Sequence, residues 1–470
     1  MTKNNPVANE STFLKLKNKI GKKNNKDAVT DTARYATAEL VAMSRCIDII
    51  SEACACCWDK QIPDDYLGRL DYVSKRAKSG HTSIMEHSNF IAYVEISDCY
   101  YDDLTEFLNW VKYLGKKVYH DNETHALYML IGGTLRGFSD IYLRTDDLNN
   151  IVLKNITSCL YAYAPSGAFE DICHMGLLEK ENFANVDLGS MTEEEMRRDM
   201  KIITTHYNDS EAENDLFKIV GMDDLKMMYT NLYNLNPKFA KTFTTFDLLE
   251  YVSVTVLFKN MSRIITQQLT RHRNGITQES QRYVDYSKAA FNSPALFKPD
   301  KYDKDHKYTV RFGPSSNLNM TLDEIGQAIC GLYEMLNNPV ITGAGYNLLR
   351  EDARGFLPGN AICRKLYMTF TYKSLFKFLQ LRESSGAQAE IRWYANNLGE
   401  WIRENSMFSS KEITDTYTKP KLLIEDPFKL EEDQGIVEEV VEMTEEDYMK
   451  ANGLEMPEEE SETKPENDEV

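Results

Sequence analysis

Residues 271–287, RHRNGITQESQRYVDYS, concentrate Arg271, His272, Arg273 and Arg282 around a hydroxyl run, with Glu279 and Asp285 as the only acids. A solvated helix face mixes acids among its bases, and this stretch does not. Guanidinium forks grip phosphate or carboxylate at two points. Ser280 offers a hydroxyl and a backbone amide to the same oxyanion, and Gly275 permits a tight turn between the basic groups. The segment therefore reads as a site for a phosphate-bearing ligand. Structural salt bridges to acids elsewhere in the chain are the plainer alternative.

Such side chains need rigid elements to aim them. The apolar spacing predicts a helix from near Asp31 through ARYATAELVAMSRCIDIISEAC and a second through LGRLDYVSKRAKSG. NFIAYVEIS alternates and reads as a strand. Residues 101–148 read as helical with a Gly-Gly break at 132–133. A second apolar block from Phe246 runs from a β-rich stretch into the helix that delivers RHR. A β-rich span at 293–312, the helix TLDEIGQAICGLYEMLNN, the strand KLYMTFTY and a long helix from Ser374 follow.

The chain has 470 residues, 42% of them apolar, enough for a large core and two to four domains. No run of about 18 apolar residues occurs. The Lys- and Asn-rich start lacks an apolar signal core, so a soluble, cytoplasmic protein is expected. Nine cysteines include Cys54, Cys56 and Cys57 in one segment, with no second pair at zinc spacing. They read as reduced thiols on or under a helix, and no metal site is expected. The net charge of −19 belongs mainly to the tail: residues 425–470 carry 19 acids against three lysines, leaving about −3 for the rest. That tail reads as a loosely structured solubility appendage. His81 and His125 read as local hydrogen-bonding groups, and Tyr100, Tyr101, Tyr161 and Tyr163 as core or rim. The GxxxxGK phosphate loop of ATPases does not occur.

RHR followed by S-x-R-Y resembles the signature of the flavin-dependent thymidylate synthases. Four further pieces resemble family segments in order: GHTSIMEHSNF, ITQQLTRHR, EDARGFLP and FLQLRESSGAQAEIR. The resemblance spans most of residues 31–400 apart from 180–240. It implies an α/β (α+β) fold with helices packed on a mixed or antiparallel sheet. It also implies active sites assembled between subunits of a homotetramer, and methylation of dUMP with methylenetetrahydrofolate as carbon donor and FAD carrying hydride from NADPH. On matching positions, Arg271, His272 and Arg273 would hold FAD, with His87 on the flavin side. Gln268, Ser280, Gln281, Arg282 and Arg354 would hold dUMP. Arg382 would sit against the uracil and stabilise its enolate-like form, as the catalytic group. No membrane and no direct nucleic-acid partner is implied. Cys363, the only cysteine in the matched nucleotide segments, reads as core packing, so no enzymic thiol nucleophile is expected.

The sequence also departs from the family pattern. Six residues, Asn274 to Glu279, separate RHR from its serine where the family has seven. Thr369-Phe-Thr371-Tyr-Lys373 stands where the family has Thr-x-Asn-x-Arg, Gly386 replaces a histidine, and Glu250-Tyr251 stands for a second Glu-His. A weak internal echo offers a reason. TSIMEHSNFIAYVEI resembles TTFDLLEYVSVTVLF, and GGTLRGFSDIYLR resembles TFTYKSLFKFLQLR, setting Arg136 against Lys373. Arg136 and Lys373 thereby join the expected FAD-binding set. The expected layout is a polar arm (1–28), a first family-like unit (29–178), an acidic insertion (179–240), a second unit bearing the nucleotide and flavin motif (241–424) and the tail (425–470). A homodimer of duplicated chains would then replace the homotetramer. Two other readings stay open: a dUMP hydroxymethylase, in which water replaces hydride, and a non-catalytic nucleotide-binding or interaction protein.

Overall fold

A computed structural model of the chain describes residues 35–163 and 201–408, apart from 45, 80, 112–113, 143–148, 208–209, 274, 287–289, 312–313, 315, 344–345 and 407. Two antiparallel sheets organise these residues. The first, in the order β1–β2–β4–β3, is built from β1 (Ala36–Met43), β2 (Asn89–Ser97), β3 (Gly115–Asp121) and β4 (Ala126–Thr134). The second, in the order β5–β6–β7–β11–β8, uses β5 (Thr204–His206), β6 (Phe217–Asp223), β7 (Ser253–Ser262), β8 (Gly275–Gln278) and β11 (Ile362–Thr371). A small hairpin pairs β9 (Tyr308–Arg311) with β10 (Asn317–Met320). Helices packed on antiparallel sheets make this the α+β architecture expected.

Helices fill the faces. Those used below are α1 (Cys46–Trp58), α2 (Tyr66–Lys78), α3 (Tyr101–Trp110), α4 (Leu135–Tyr142), α5 (Ile151–Tyr163), α6 (Leu225–Leu235), α7 (Arg263–Leu269), α8 (Leu322–Asn337), α9 (Tyr372–Arg382) and α10 (Ala389–Asn405). α1 is largely apolar because it is buried on two sides, with Asp48 paired to Arg69 and Glu52 accepting from the Tyr367 hydroxyl. Ile47, Ile50 and Cys54 join the core under the first sheet with Phe90, Phe107 and Phe138. Ile49, Ala53 and Cys56 pack on Val220 and Tyr367 of the second. Burial pushes the Cys54 thiol up to about 12 and Cys57 to about 11, so both stay protonated, as inert thiols under a helix should. Cys363 is likewise a buried core thiol, 1% exposed.

Several expectations are corrected. The helix expected from near Asp31 begins only at Cys46; Ala36–Met43 is a strand instead. Pairing with β2 and complete burial of Leu40–Met43 outweigh the helix preference of its alanines. Among the described residues of 101–148, only α3 and α4 are helical. Between them β3 and β4 form a hairpin, closed by the Asp121 carboxylate accepting from Glu123 N at 3.0 Å and by His125 at φ 55°. Lys201 to Ala240, expected as an insertion, contribute β5, β6 and α6, with Phe217, Ile219, Met228 and Leu232 in the core. Among the described residues of 293–312, only Tyr308–Arg311 form a strand. The long helix from Ser374 is two helices, broken between Glu383 and Gln388. The described residues all fall within one compact unit. The acidic tail, the polar arm and residues 179–200 of the acidic segment lie outside the described residues.

Candidate flavin and nucleotide site

The RHR segment is delivered by α7, and α7 is anchored by a buried acid. Glu390 at the start of α10 accepts from Ser262 N at 2.8 Å, Ser262 Oγ at 2.7 Å and Asn292 Nδ2 at 2.9 Å. Burial raises its carboxyl and these bonds oppose the rise. Ser262 caps α7 in turn, its hydroxyl accepting from Ile265 N. After α7 the chain makes one 3-10 turn, Thr270–His272, and Arg273 adopts the left-handed conformation at φ 55°. That conformation is costly for a non-glycine residue. It swings the chain into β8, where a Cβ on Gly275 would lie 2.5 Å from the Glu86 carbonyl oxygen. Gly275 is thus required by close approach of backbone to backbone.

Two groups of the expected residues form around this frame. In the first, Arg382, on the last turn of α9, donates from Nε to His272 Nε2 at 3.0 Å and from a terminal nitrogen to Gln268 Oε1 at 3.4 Å. Gln268 donates onward to Gln388 Oε1 at 2.6 Å. Burial, with Arg382 and Lys377 nearby, lowers His272 to about 4, so the ring is neutral and Nε2 is the acceptor. Burial, then the exposed Arg271, pull the Arg382 guanidinium below its ordinary value.

In the second group, Ser280, Arg282 and Arg354 gather at Glu351. Arg282 donates to the Glu351 carboxylate at 2.9 and 3.1 Å, and Arg354 Nε donates to the Glu351 carbonyl at 3.0 Å. The Ser280 hydroxyl accepts from Arg282 N at 3.2 Å, while Ser280 N donates to the Cys57 carbonyl at 3.1 Å. Gln281 is half-buried between them. No hydrogen bond joins the two groups among the described residues.

A pocket of about 630 Å³ opens beside the first group. It is lined by His272, Arg273, Thr371, Lys373, Ser374 and Lys377, by Thr134, Arg136 and Asp140, and by Gly115, Gly132, Gly133 and Gly275. Arg136 and Lys373 each have an acid: Arg136 meets Glu86 at 2.6 Å and Lys373 meets Glu250 at 2.9 Å. Cations and hydroxyls around one cavity suit a ligand with a phosphate chain, so the residues present fit a flavin dinucleotide.

Of the expected flavin set, Arg136, His272, Arg273 and Lys373 line this pocket. Arg271 lies one residue outside it, and His87 lies behind the wall. His87 is fully buried, its two ring nitrogens bonded to the hydroxyls of Thr369 at 2.9 Å and Thr277 at 2.8 Å. Burial lowers it to about 3. It ties the first half of the chain to β8 and β11. Sequence reasoning missed Glu86, Glu250, Asp140 and Lys377 as pocket residues. The internal echo had already aligned Glu86-His87 with Glu250-Tyr251, and that was the available signal.

Residues 190–406 match the family model described as thymidylate synthase complementing protein. The chain is 32% identical over 149 residues to a flavin-dependent thymidylate synthase of Nitratidesulfovibrio vulgaris, covering 32% of this chain and 55% of that protein. It is 30% identical over 152 residues to one from Clostridium tetani, covering 32% of this chain and 58% of that protein. The chain thus spans little more than half the length of these curated relatives. A solved thymidylate synthase X from Helicobacter pylori, crystallised with FAD and dUMP, is 17% identical and aligns over 37% of this chain and 76% of its own with a TM-score of 0.23, too partial a superposition to define the fold. The likeness to thymidylate synthase complementing proteins thus lies in residues 190–406, somewhat less than half of the chain.

Proposed function

We propose that the chain is a flavin-dependent thymidylate synthase that converts dUMP to dTMP, with FAD as its cofactor and methylenetetrahydrofolate and NADPH as co-substrates. The observation that carries this reading is the pocket: Arg136, His272, Arg273 and Lys373, far apart in sequence, meet around one cavity next to Arg382. Arg271, His272, Arg273, Arg136 and Lys373 would hold the flavin, the four cations balancing its phosphates and His272 staying a neutral neighbour. His87 positions β8 behind it. Bound flavin would supply the hydride that completes the methyl group.

The nucleotide is held by the two arginine groups together. Ser280, Gln281, Arg282 and Arg354 take its phosphate and sugar, with Glu351 holding Arg282 extended until the phosphate replaces it. Gln268 and Arg382 take the uracil. Arg382 is aimed by the neutral His272 acceptor, so its positive charge faces the pyrimidine oxygen where negative charge develops. A second copy of the chain brings its arginine pair to the first copy's Gln268 and Arg382, so the protein works as a homo-oligomer; a particle of two chains is expected in light scattering. The test of the reaction is product mass after incubation with dUMP, methylenetetrahydrofolate and NADPH. The mass of dTMP is expected. A product heavier by one oxygen identifies a hydroxymethylase, and a colourless, inactive protein identifies a non-catalytic binder.

A further inference from the structure

The chain visits four sheet positions in the same order twice. β1 pairs with β2, β2 with β4 and β4 with β3; β6 pairs with β7, β7 with β11 and β11 with β8, all antiparallel. The registers agree as well. Asn89, first in β2, faces Thr134, last in β4; Ser253, first in β7, faces Thr371, last in β11. Each threonine leads directly into a helix, α4 or α9. The register shift in β1–β2 falls between Leu40 and Ala42, opposite Ala92 and Ile91. That in β6–β7 falls between Ile219 and Gly221, opposite Val256 and Thr255. Counted from the first residues of β2 and β7, the two bulges occupy the same place. The edge strands begin at Gly115 and Gly275, each opposite the residue two before the closing threonine, Gly132 and Thr369. Antiparallel order alone recurs in unrelated sheets; a shared bulge, edge register and helix start mark a repeated unit.

The same superposition matches Glu86-His87 with Glu250-Tyr251, Arg136 with Lys373 and Asp140 with Lys377. The contacts between the halves are then reciprocal. Gly275 of the second half presses on Glu86 of the first, while Gly115 and Gly132 of the first lie against Glu250 and Tyr251 of the second. Each half carries its own cation–acid pair into the pocket. Reciprocal contact of matched residues is what a local two-fold axis produces.

We propose that the described chain is two copies of one unit fused about a local two-fold, and that the pocket on this axis is a single polarised site gripping one dinucleotide from both copies. The proposal rests on the flavin reading above and adds stoichiometry and direction to it. The axis makes Arg136 and Lys373 counterparts, so both must bear on one ligand. The symmetry is broken where Asp140 stands opposite Lys377, both on the pocket wall. A phosphate chain is drawn toward the Lys373–Lys377 end and away from Asp140. The ligand enters in one orientation, so one site serves each chain instead of two equivalent ones.

Titration of the full chain with FAD, read by flavin fluorescence, tests this. One FAD per chain is expected. Arg136→Ala and Lys373→Ala should each weaken binding tenfold or more, and Lys377→Ala should weaken it more than Asp140→Ala does. Removing Arg136 strands Glu86, so Arg136→Ala is also made with Glu86→Gln, and unchanged melting of that double variant shows that the fold is kept. Wild-type FAD affinity in the Arg136 variants, or two FAD per chain, overturns the shared site while leaving the flavin reading standing. Failure of the wild-type protein to bind FAD overturns both.

Discussion

The first and second sheets of this protein are built alike and furnished differently. Each ends its central strand at a threonine, starts a helix there and sends one cation, Arg136 or Lys373, into a common pocket. Beyond that the halves diverge. The first contributes His87 as a fully buried neutral tie; the second has Tyr251 at that place, also buried, and carries the RHR turn, Arg354 and Arg382. The comparison teaches that backbone register is shared property, while the chemistry depends on a handful of side chains in one half. Experiments that treat matched positions unequally can therefore break or sharpen it.

The largest effect is expected at Arg382, on the last turn of α9. Arg382→Ala removes the charge aimed by His272 at the pyrimidine, and turnover should fall by about three orders of magnitude while flavin stays bound. Steady-state kinetics beside a visible spectrum read both at once; retained turnover would remove Arg382 from the mechanism.

His87 comes next. Its folded form is held neutral down to about pH 3, whereas an unfolded imidazole takes a proton below about pH 6.5. The unfolded state therefore binds more protons in that window, and stability is fully present above it. As pH falls from about 6.5, this one group costs about 1.4 kcal/mol per pH unit. Urea melts at several pH values should show a slope that His87→Gln lacks; an equal slope in the variant would show that other groups cause it.

The matched glycines sharpen the comparison further. A Cβ at Gly275 meets a backbone carbonyl at 2.5 Å, whereas at Gly115 its nearest contacts are 3.4 Å away. Gly275→Ala should cost about 1–3 kcal/mol and Gly115→Ala well under that, read as thermal midpoints. Equal losses would mean that the two edges are not the unequal pair described. The smallest effect is expected from truncation after Ile424: activity should be unchanged, because no site residue lies beyond it, and a collapse in rate would give the acidic tail a role.

Part of the pocket lining was legible in residue type: the density of Arg271 to Arg273 pointed to an anion site, and His272 and Arg273 line the pocket, whereas Arg382 entered only through the family resemblance. The strand NFIAYVEIS was legible to the residue because it alternates and ends at turn residues. The β1 strand was not, since ATAELVAM carries helix-forming residues and its strand form depends on β2, 50 residues away in sequence. Glu86 and Glu250 were invisible as pocket acids because each is defined by the cation opposite it, Arg136 or Lys373, and not by any local pattern. That Arg282 and Arg354 bond to Glu351 while Arg382 bonds to His272 and Gln268 could not be read from spacing at all.

The most direct test is mass analysis of the nucleotide formed when purified, yellow protein is given dUMP, methylenetetrahydrofolate and NADPH. The account predicts dTMP, formed by the wild-type chain and not by Arg382→Ala. An unaltered dUMP pool with flavin-loaded wild-type protein, or a product carrying an additional oxygen, would contradict it.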